Sequence, residues 1–387
     1  MVYFIILSIT LLFIVEYDIN KHNKNKQLAF LFLFIYSYFI AAFRYRVGLD
    51  TLNYMYSYDK LPSLGNLSMI DFESFRYSPL YIIFCAICKS ISDSFVVFQL
   101  FHSLVINLII FRFIYKYSNY RFCAVFFYFL LSYINYNFVV LREALAIATF
   151  LFSYDYYRNG SWLKYYVCAF VAFGFHTSGI FVFFLPLLKK LKFNPSYFIL
   201  LSFCFILFNI FSNNLLFLFQ IFLITENIEE QATSYLELFN LNWTIRLYNV
   251  CIYAIFPLFF ILLRKQNNGN NKYYENMLCV YVLIGMLIWF VPIFYRFTNY
   301  ITMFYVLLLS DVFFDIAKLR FFSRTRKFAV IGIFSIFYIS MSFLSFFTSY
   351  EGVEDGKAYR DFYPYHSIFN PVKDPIREKI WMVHFNK

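Results

Sequence analysis

Long apolar segments recur along the whole chain and are separated by short polar connections. Apolar runs of about 17 to 25 residues are typical of helices that cross a bilayer. The pattern predicts spans near 2–16, 28–43, 94–111, 122–138, 142–157, 163–175, 178–190, 197–222, 246–264, 277–293, 298–316 and 328–347. The predicted fold class is therefore all-α, a polytopic transmembrane helical bundle of about 12 spans.

The segment near 78–91 is the uncertain element of this pattern. It is apolar but short, it begins at Pro79, and Lys89 lies near its end. We predict an interfacial helix at the outer membrane surface that does not cross the bilayer. If this segment were a span, every later loop would lie on the opposite side of the membrane. The distribution of charged residues between the loops therefore distinguishes the two topologies.

Charge supports one topology. With the N-terminus outside, 19 of the 33 Lys and Arg residues and six acidic residues lie on the cytoplasmic side, which leaves a net charge of +13 there. The outer side then carries 14 basic and 16 acidic residues. Loops rich in Lys and Arg stay in the cytoplasm. If 78–91 crossed the membrane, the basic clusters at 112–121 and 189–192 would lie outside, so we reject that version.

Composition agrees with a membrane protein. Hydrophobic residues make up 61% of the 387 residues and charged residues only 14%, whereas a soluble domain carries about 25% charged residues. The net charge of +11 could suggest nucleic acid, but here it is explained by topology, and no nucleic-acid partner is expected. The seven cysteines lie in apolar stretches, and Cys85-x-x-Cys88 has no accompanying His or second pair, so packing is favoured over metal binding.

The domain organisation follows from the spans. One transmembrane domain, 1–347, is predicted to include two long outer loops at 44–93 and 223–245. An outer C-terminal tail, 348–387, is polar and contains three prolines, and we expect it to pack as a short extended cap.

Ionisable residues at the mouth of a span cost free energy and are candidates for function. Four such places are predicted on the outer face. They contain Arg44, Arg46, Asp50 and Tyr54; Arg142; His176; and Arg296, Asn299 and Tyr300. Several guanidinium groups on one face would suit a pyrophosphate, because they bind phosphate oxygens in paired hydrogen bonds.

Each of the four places also has a simpler interpretation. The first could be a solvated loop with an internal salt bridge. Arg142 could pair with Glu143 or extend to lipid headgroups, and Arg296 could be a headgroup anchor. His176, which lies between two glycines, could be a neutral side chain that makes one backbone hydrogen bond.

Three motifs occur in order along the chain: Arg44-x-x-x-Gly48-x-Asp50-x-x-x-Tyr54, Arg142-x-Ala144-Leu145-Ala146 and Phe175-His176-x-Ser178. Together they resemble the EpsG/Wzy-type family of bacterial polysaccharide polymerases, over about residues 25–310. That family typically has Gln after the motif arginine, where this chain has Glu143. The departure bears on how Arg142 is held.

The resemblance implies an enzyme, a glycosyltransferase with an architecture similar to the GT-C class. Such proteins polymerise undecaprenyl-pyrophosphate-linked oligosaccharide repeat units, which are both donor and acceptor, into O-antigen, capsule or exopolysaccharide. The implied location is the periplasmic face of the bacterial cytoplasmic (inner) membrane, as a multi-pass protein. Membrane lipid, a chain-length regulator and a flippase are the other implied partners.

The resemblance also suggests roles. Asp50, His176 and Arg142 would be catalytic, with Asp50 the first choice for general base and His176 the second. The residues that would bind the diphosphate or the sugars are Arg44, Arg46, Tyr54, Arg296, Asn299 and Tyr300. No cofactor or metal ligand set is expected, although Mg²⁺ between Asp50 and the diphosphate is compatible with the residues.

Other functions stay open at this point. A flippase for the same lipid-linked oligosaccharide also needs many spans and buried cations, but it would carry internal repeats, and none is clear here. A glycan ligase would use the same chemistry with a different acceptor. A membrane O-acyltransferase also has a key His, but the Arg-Gly-Asp-Tyr segment would have no evident use there.

Overall fold

The computed structural model describes residues 2–69, 77–210, 243–266, 274–291, 294–318, 332–333, 336–337, 340 and 344–384. Most of these residues are helical, and the only β-pairing among them consists of isolated bridges. The predicted all-α class is confirmed. Most of the predicted outer loop 223–245 and of the predicted span 328–347 lies outside the described residues.

The helices begin and end close to the apolar runs. Those described are α1 Val2–Phe13, α2 Lys26–Ala42, α3 Leu49–Lys60, α4 Pro79–Ile91, α5 Phe95–Tyr117, α6 Arg121–Leu131, α7 Leu141–Asn159, α8 Trp162–Phe175, α9 Ile180–Phe184, α10 Pro195–Ile210, α11 Trp243–Val250, α12 Phe256–Gln266, α13 Glu275–Leu287, α14 Tyr295–Lys318 and α15 Pro375–His384. A π-helical turn, Ile14–Ile19, extends α1. A second π-helical turn, Cys251–Ile255, joins α11 to α12.

Length and apolarity mark the helices that can cross a bilayer. Within the described residues, four stretches are long and apolar enough, namely Val2–Ile19, Phe95–Tyr117, Trp243–Lys265 and Tyr295–Asp315, and shorter apolar helices cover most of the other predicted spans. Many large apolar side chains point outward, such as Leu163, which is 81% exposed. Helices with such faces need lipid around them, because a bilayer core requires every backbone polar group to be bonded internally but accepts apolar surface.

The predicted helix near 78–91 is confirmed as α4. Its 13 residues span about 20 Å at 1.5 Å per residue, which is short of the roughly 30 Å hydrocarbon core. One face is buried and includes Cys85 and Cys88, both free thiols, while Ile87 and Ile91 are 46% and 62% exposed. The C-x-x-C spacing therefore reflects the buried face of an amphipathic helix.

The described residues form two compact units. Unit 1 is drawn from Met1–Phe72, Tyr77–Gly179 and Ile316–Lys387, and unit 2 from Ile180–Asp315. Unit 1 contains α1 to α8 and the C-terminal tail. In it, α7 packs against α5 and α8, and α4 packs against α5 and α8.

A buried ionic network ties together helix ends within unit 2. The Arg264 guanidinium lies 2.5 Å from the Asp311 carboxylate and donates to the Tyr274 hydroxyl, also at 2.5 Å. Tyr274 in turn donates to Asp311 at 2.7 Å. A buried charge pair needs such additional hydrogen bonds to offset desolvation. The network joins the end of α12, the start of α13 and the last turns of α14, which are all predicted to be cytoplasmic.

The C-terminal tail folds back on the segment that follows α2. The backbone N–H of Tyr45 donates to His366 O at 2.8 Å, and the N–H of Ile368 donates to Phe43 O at 2.9 Å. Residues 366–368, in the middle of the tail, are therefore paired in extended form with residues 43–45. The tail and the Arg44–Tyr54 segment consequently lie at the same end of unit 1.

The tail also contains a helix that the expectation of an extended cap missed. Helix α15 begins at Pro375, a residue suited to the first helical position because it lacks an N–H. The Asp374 side chain caps this helix by accepting the N–H of Arg377 at 2.9 Å. Both signals were present in the sequence but stood outside any apolar run.

Side chains of α15 attach it to α3 and to the segment before α3. Arg46 donates to both carboxylate oxygens of Glu378 at 2.6 Å. Trp381 Nε1 donates to Asn53 Oδ1 at 2.7 Å. Beneath these bonds, Leu49, Leu52, Val353 and Ile380 form a buried apolar cluster. The tail is therefore an integral layer over α3.

The Arg46–Glu378 pair is expected to stabilise this layer. The two side chains are 19% and 14% exposed, so loss of either partner should cost about 2 kcal/mol of unfolding free energy. Because both single changes break the same bond, Arg46→Ala/Glu378→Ala should cost little more than either alone. Unfolding of the purified chain in detergent measures this, and additive losses would contradict the expectation.

The same variants separate two roles for Arg46. If Arg46 acts only through Glu378, then Arg46→Ala and Glu378→Ala should have the same effect on function. A loss of function with Arg46→Ala alone would instead support the predicted contact of Arg46 with substrate.

Candidate functional site

A break in the helical bundle between α6 and α7 carries the first part of the site. A π-helical turn, Asn135–Val139, stands here, and its Tyr136 and Asn137 side chains are buried. The Asn137 amide donates to Tyr133 O at 2.9 Å and to the Tyr128 hydroxyl at 3.1 Å, and it accepts from Asn107 at 2.9 Å. A buried break is stable only when such groups are paired.

The start of α7 is fixed by a second buried bond. His102 Nε2 donates to the Leu141 carbonyl at 2.9 Å. Leu141 directly precedes Arg142, so the position of Arg142 is set by α5 as well as by its own helix. Glu143 is 3% exposed, so the residue that departs from the family pattern lies buried beside Arg142.

The segment before α3 meets this break at Phe138. Thr51 Oγ1 donates to Phe138 O at 3.0 Å. Gly48 has φ +94°, and a Cβ at this position would lie 2.8 Å from Phe138 O, so the close approach requires glycine. The Arg44 guanidinium lies 4.9 Å from the Phe138 ring centre. Arg44, Gly48 and Thr51 therefore join the start of α3 to the start of α7.

Arg142 lies in an aromatic cluster. Its Nε donates to the Tyr54 hydroxyl at 3.4 Å, and its guanidinium lies 4.5 Å from the centre of the Tyr77 ring. Tyr81 completes the cluster, with ring centres 5.8 Å from Tyr54 and 5.4 Å from Tyr77. The Tyr77 hydroxyl is bonded to Ser57 at 2.7 Å.

His176 ends α8 in a defined tautomer. Its Nδ1 accepts the Ser178 N–H at 3.1 Å and lies 2.7 Å from Ser178 Oγ. Because Nδ1 is an acceptor here, a neutral ring carries its proton on Nε2. The α7–α8 hairpin turns at Gly160, so His176 and Arg142 lie at the same end of it.

The start of α4 connects the end of α7 that carries Arg142 with the end of α8 that carries His176. A Cβ at Gly174 would lie 2.6 Å from the Leu80 side chain, so the last turn of α8 packs closely on the first turn of α4. Tyr77, which stacks with Arg142, precedes that same turn. The structure thus brings together Tyr54, Tyr77, Arg142 and the end of α8.

Asp50 and the two early arginines occupy different environments. Asp50 lies in the first turn of α3, is partly buried, and its charge acts on Tyr54 and on Asp361 of the tail. Arg44 is 1% exposed and donates to Ala41 O and Thr51. Arg46 is bonded to Glu378, and this hydrogen bond, with the charge of Glu378 adding to it, raises the pKa of Arg46.

The fourth predicted place lies in unit 2. Arg296, Asn299 and Tyr300 stand in the first two turns of α14. Tyr300 is fully buried and packs on Phe181, with ring centres 5.9 Å apart. The participation of these three residues in the site stays a prediction.

Sequence reasoning missed Tyr77 and Tyr81, which belong to the cluster around Arg142. Nothing local distinguishes them among 36 tyrosines. A weak signal was available, since both flank Pro79 at the start of an amphipathic helix in the predicted outer loop. Asp361 was also missed, because the tail gave no reason to expect contact with α3.

The chain matches one family model. The model is that of the EpsG family, and the match covers residues 27–367, which includes all the predicted site residues and the first part of the tail. Comparison with curated proteins and with solved structures found no match. A match over most of the length, together with the bundle described above, establishes that this membrane protein belongs to the EpsG family.

Proposed function

We propose that this chain is a glycosyltransferase that joins lipid-linked oligosaccharide repeat units into a polysaccharide. Membership of the EpsG family supports a role in polysaccharide polymerisation. The proposed donor and acceptor are both repeat units carried on undecaprenyl pyrophosphate. The proposed location is the outer face of the bacterial inner membrane, with a flippase and a chain-length regulator as partners.

The cluster of Arg142, Tyr54 and Tyr77 is the observation that carries this proposal. A guanidinium binds phosphate oxygens through a planar fork, and an aromatic face packs against a sugar ring. The cluster therefore combines the two chemistries that a sugar diphosphate needs. The contact with the Tyr77 ring at 4.5 Å also helps to hold the guanidinium in place before substrate arrives, which lowers the cost of binding.

The proposed reaction is a single displacement at the anomeric carbon of the donor. The acceptor hydroxyl gives its proton to Asp50 as its oxygen bonds to that carbon. The bond from the carbon to the pyrophosphate oxygen breaks, and the pyrophosphate leaves with the electron pair. Arg142 stabilises the charge that develops on the leaving group, which is the main requirement because pyrophosphate needs little acid assistance.

His176 fits a donor role better than the role of base. Ser178 occupies Nδ1 from its backbone N–H at 3.1 Å, so the proton is on Nε2. A neutral imidazole held in this tautomer donates through Nε2 to a phosphate or sugar oxygen. Asp50 is therefore retained as the proposed base, and His176 as a proposed hydrogen-bond donor to substrate.

Removing Arg142 or His176 should stop chain extension but leave single repeats. Arg142→Ala and His176→Ala are each expected to lower the rate of polymerisation on the order of 100-fold or more. Arg142→Lys should recover little, because an ammonium group cannot reproduce the stacked, forked contact. The length of surface polysaccharide on a gel reports the effect.

A matched control is available between α5 and α7, away from the start of α7. The Arg112 guanidinium lies 5.3 Å from the Phe152 ring, a similar stacked pair at the predicted cytoplasmic end. Arg112→Ala should leave the ladder of chain lengths intact. Normal ladders from both Arg142→Ala and His176→Ala would rule out the proposed site.

The ring of Tyr77, and not its hydroxyl, should matter for polymerisation. Tyr77→Phe keeps the surface under Arg142 and should retain most activity. Tyr77→Leu removes it and should reduce the rate about fivefold, the size expected for one cation–π contact. Initial rates with purified protein would measure this, with Tyr115→Leu, which removes the ring 3.8 Å from Arg121, as the control. Equal rates for Tyr77→Leu and wild type would contradict it.

A further inference from the structure

Asp361 is a buried carboxyl of the tail that the proposed reaction does not yet use. Its side chain belongs to a residue only 7% exposed. The Tyr350 hydroxyl donates to its Oδ2 at 2.8 Å. Its Oδ1 is buried and has no hydrogen-bond partner within the described part of the chain. A buried carboxylate with one oxygen that lacks a hydrogen bond lowers the stability of the fold. The presence of Asp361 at this position therefore needs an explanation.

The backbone of Asp361 is fixed at the start of α3. The Gly48 N–H donates to the Asp361 carbonyl at 2.7 Å, and Gly48 precedes the first turn of α3, where Asp50 lies. The tail residue therefore approaches the proposed base through a bond that no side-chain change would remove. Asp50 stands two residues after Gly48, and its charge adds to the desolvation that raises the pKa of Asp361.

The nearby cation does not neutralise Asp361 by direct bonding. Arg377 is 1% exposed and donates from Nε, Nη1 and Nη2 to three backbone carbonyls, those of Arg360, Arg46 and Pro364, at 2.8 to 2.9 Å. It acts on Asp361 only through space. Among the described residues, the titratable groups that shift the pKa of Asp361 are Tyr350, Arg377 and Asp50.

We propose that Asp361 is a positioning residue for the reaction, the second carboxyl of a coupled pair whose charge sets how strongly Asp50 takes up the acceptor proton. This rests on the proposed function, in which Asp50 is the base. Asp361 does not touch the reacting atoms. It exchanges its own proton with solvent, and it acts through its charge, because each carboxylate raises the proton affinity of the other.

Burial makes this control operate near neutral pH. Desolvation, with the charge of Asp50 adding to it and Tyr350 and Arg377 opposing it, raises the pKa of Asp361 to about 7. Below that pH Asp361 is neutral, and above it the pair carries a second negative charge. Asp50 then becomes the stronger base, and the rate of chain extension should rise about threefold through neutral pH.

The ionisation of Asp361 must also make the free energy of unfolding depend on pH. The pKa of Asp361 is raised from its usual 3.8 to about 7, so folding favours the neutral form. The stability contributed by the neutral form is fully present below pH 3.8 and is lost as pH rises through about 7. Unfolding of the chain therefore reports the titration of Asp361 without any assay of activity.

The test uses the purified full chain in lipid nanodiscs with a lipid-linked oligosaccharide as substrate. Rates and unfolding temperatures are measured from about pH 5.5 to about pH 8.5, a window centred on the expected transition. Asp361→Asn should remove the rise in the rate and hold the rate near its value at low pH. It should also remove the fall in unfolding temperature that ends near pH 7. The exposed tail residue Glu354 gives the matched control, since Glu354→Gln should keep both changes.

A second variant covers the case in which Asp361→Asn fails to fold. Tyr350→Phe removes the hydrogen bond that favours the ionised carboxyl. The midpoint of the rate curve, and the pH at which the fall in unfolding temperature ends, should therefore both move to higher pH. An unmoved midpoint in Tyr350→Phe, or a wild-type pH step in the rate of Asp361→Asn, would overturn the inference. Full activity of Asp50→Asn would instead overturn the role of Asp50 in the proposed function, whatever Asp361 does.

Discussion

The organisation of unit 1 depends on how the polar groups of one helix break are satisfied. Between α6 and α7 the regular hydrogen bonding of a membrane helix is interrupted, and the freed groups are buried. Asn137 and His102 pair some of them from within the bundle, and Thr51 donates to Phe138 O at 3.0 Å. Because the polar groups at such a helix break must be hydrogen-bonded, the break also fixes the positions of the residues next to it. Arg142 and the first turn of α3 are therefore held in fixed positions relative to each other.

The C-terminal tail extends the same constraint. Because the segment before α3 has no regular structure of its own, its backbone groups need other partners. The tail provides them through Asp361, His366 and Arg377. The tail is therefore bonded into the segment that leads into Asp50, and the backbone of its buried acid, Asp361, is bonded to Gly48 in that segment. Positioning and electrostatic control of the proposed base would come from the same element.

The sequence predicted the parts of this molecule that leave a local pattern. Apolar runs predicted the helices, and isolated charges predicted Arg142, His176 and Asp50 as candidates. The partners of these residues were not predictable in this way. Arg46 and Glu378 are 332 residues apart, and neither has a neighbour that indicates the other. Tyr77 is one of 36 tyrosines, and only the packing of α4 brings it to Arg142.

If this chain itself joins lipid-linked repeat units, it should do so without any other protein. The decisive measurement places the purified chain in sealed lipid vesicles and adds undecaprenyl-pyrophosphate-linked oligosaccharide to one side. Glycans of many repeats and free undecaprenyl pyrophosphate are expected, both formed by the molecules whose outer face meets the substrate. Recovery of unchanged single repeats, or their movement across the bilayer without any new glycosidic bond, would contradict it.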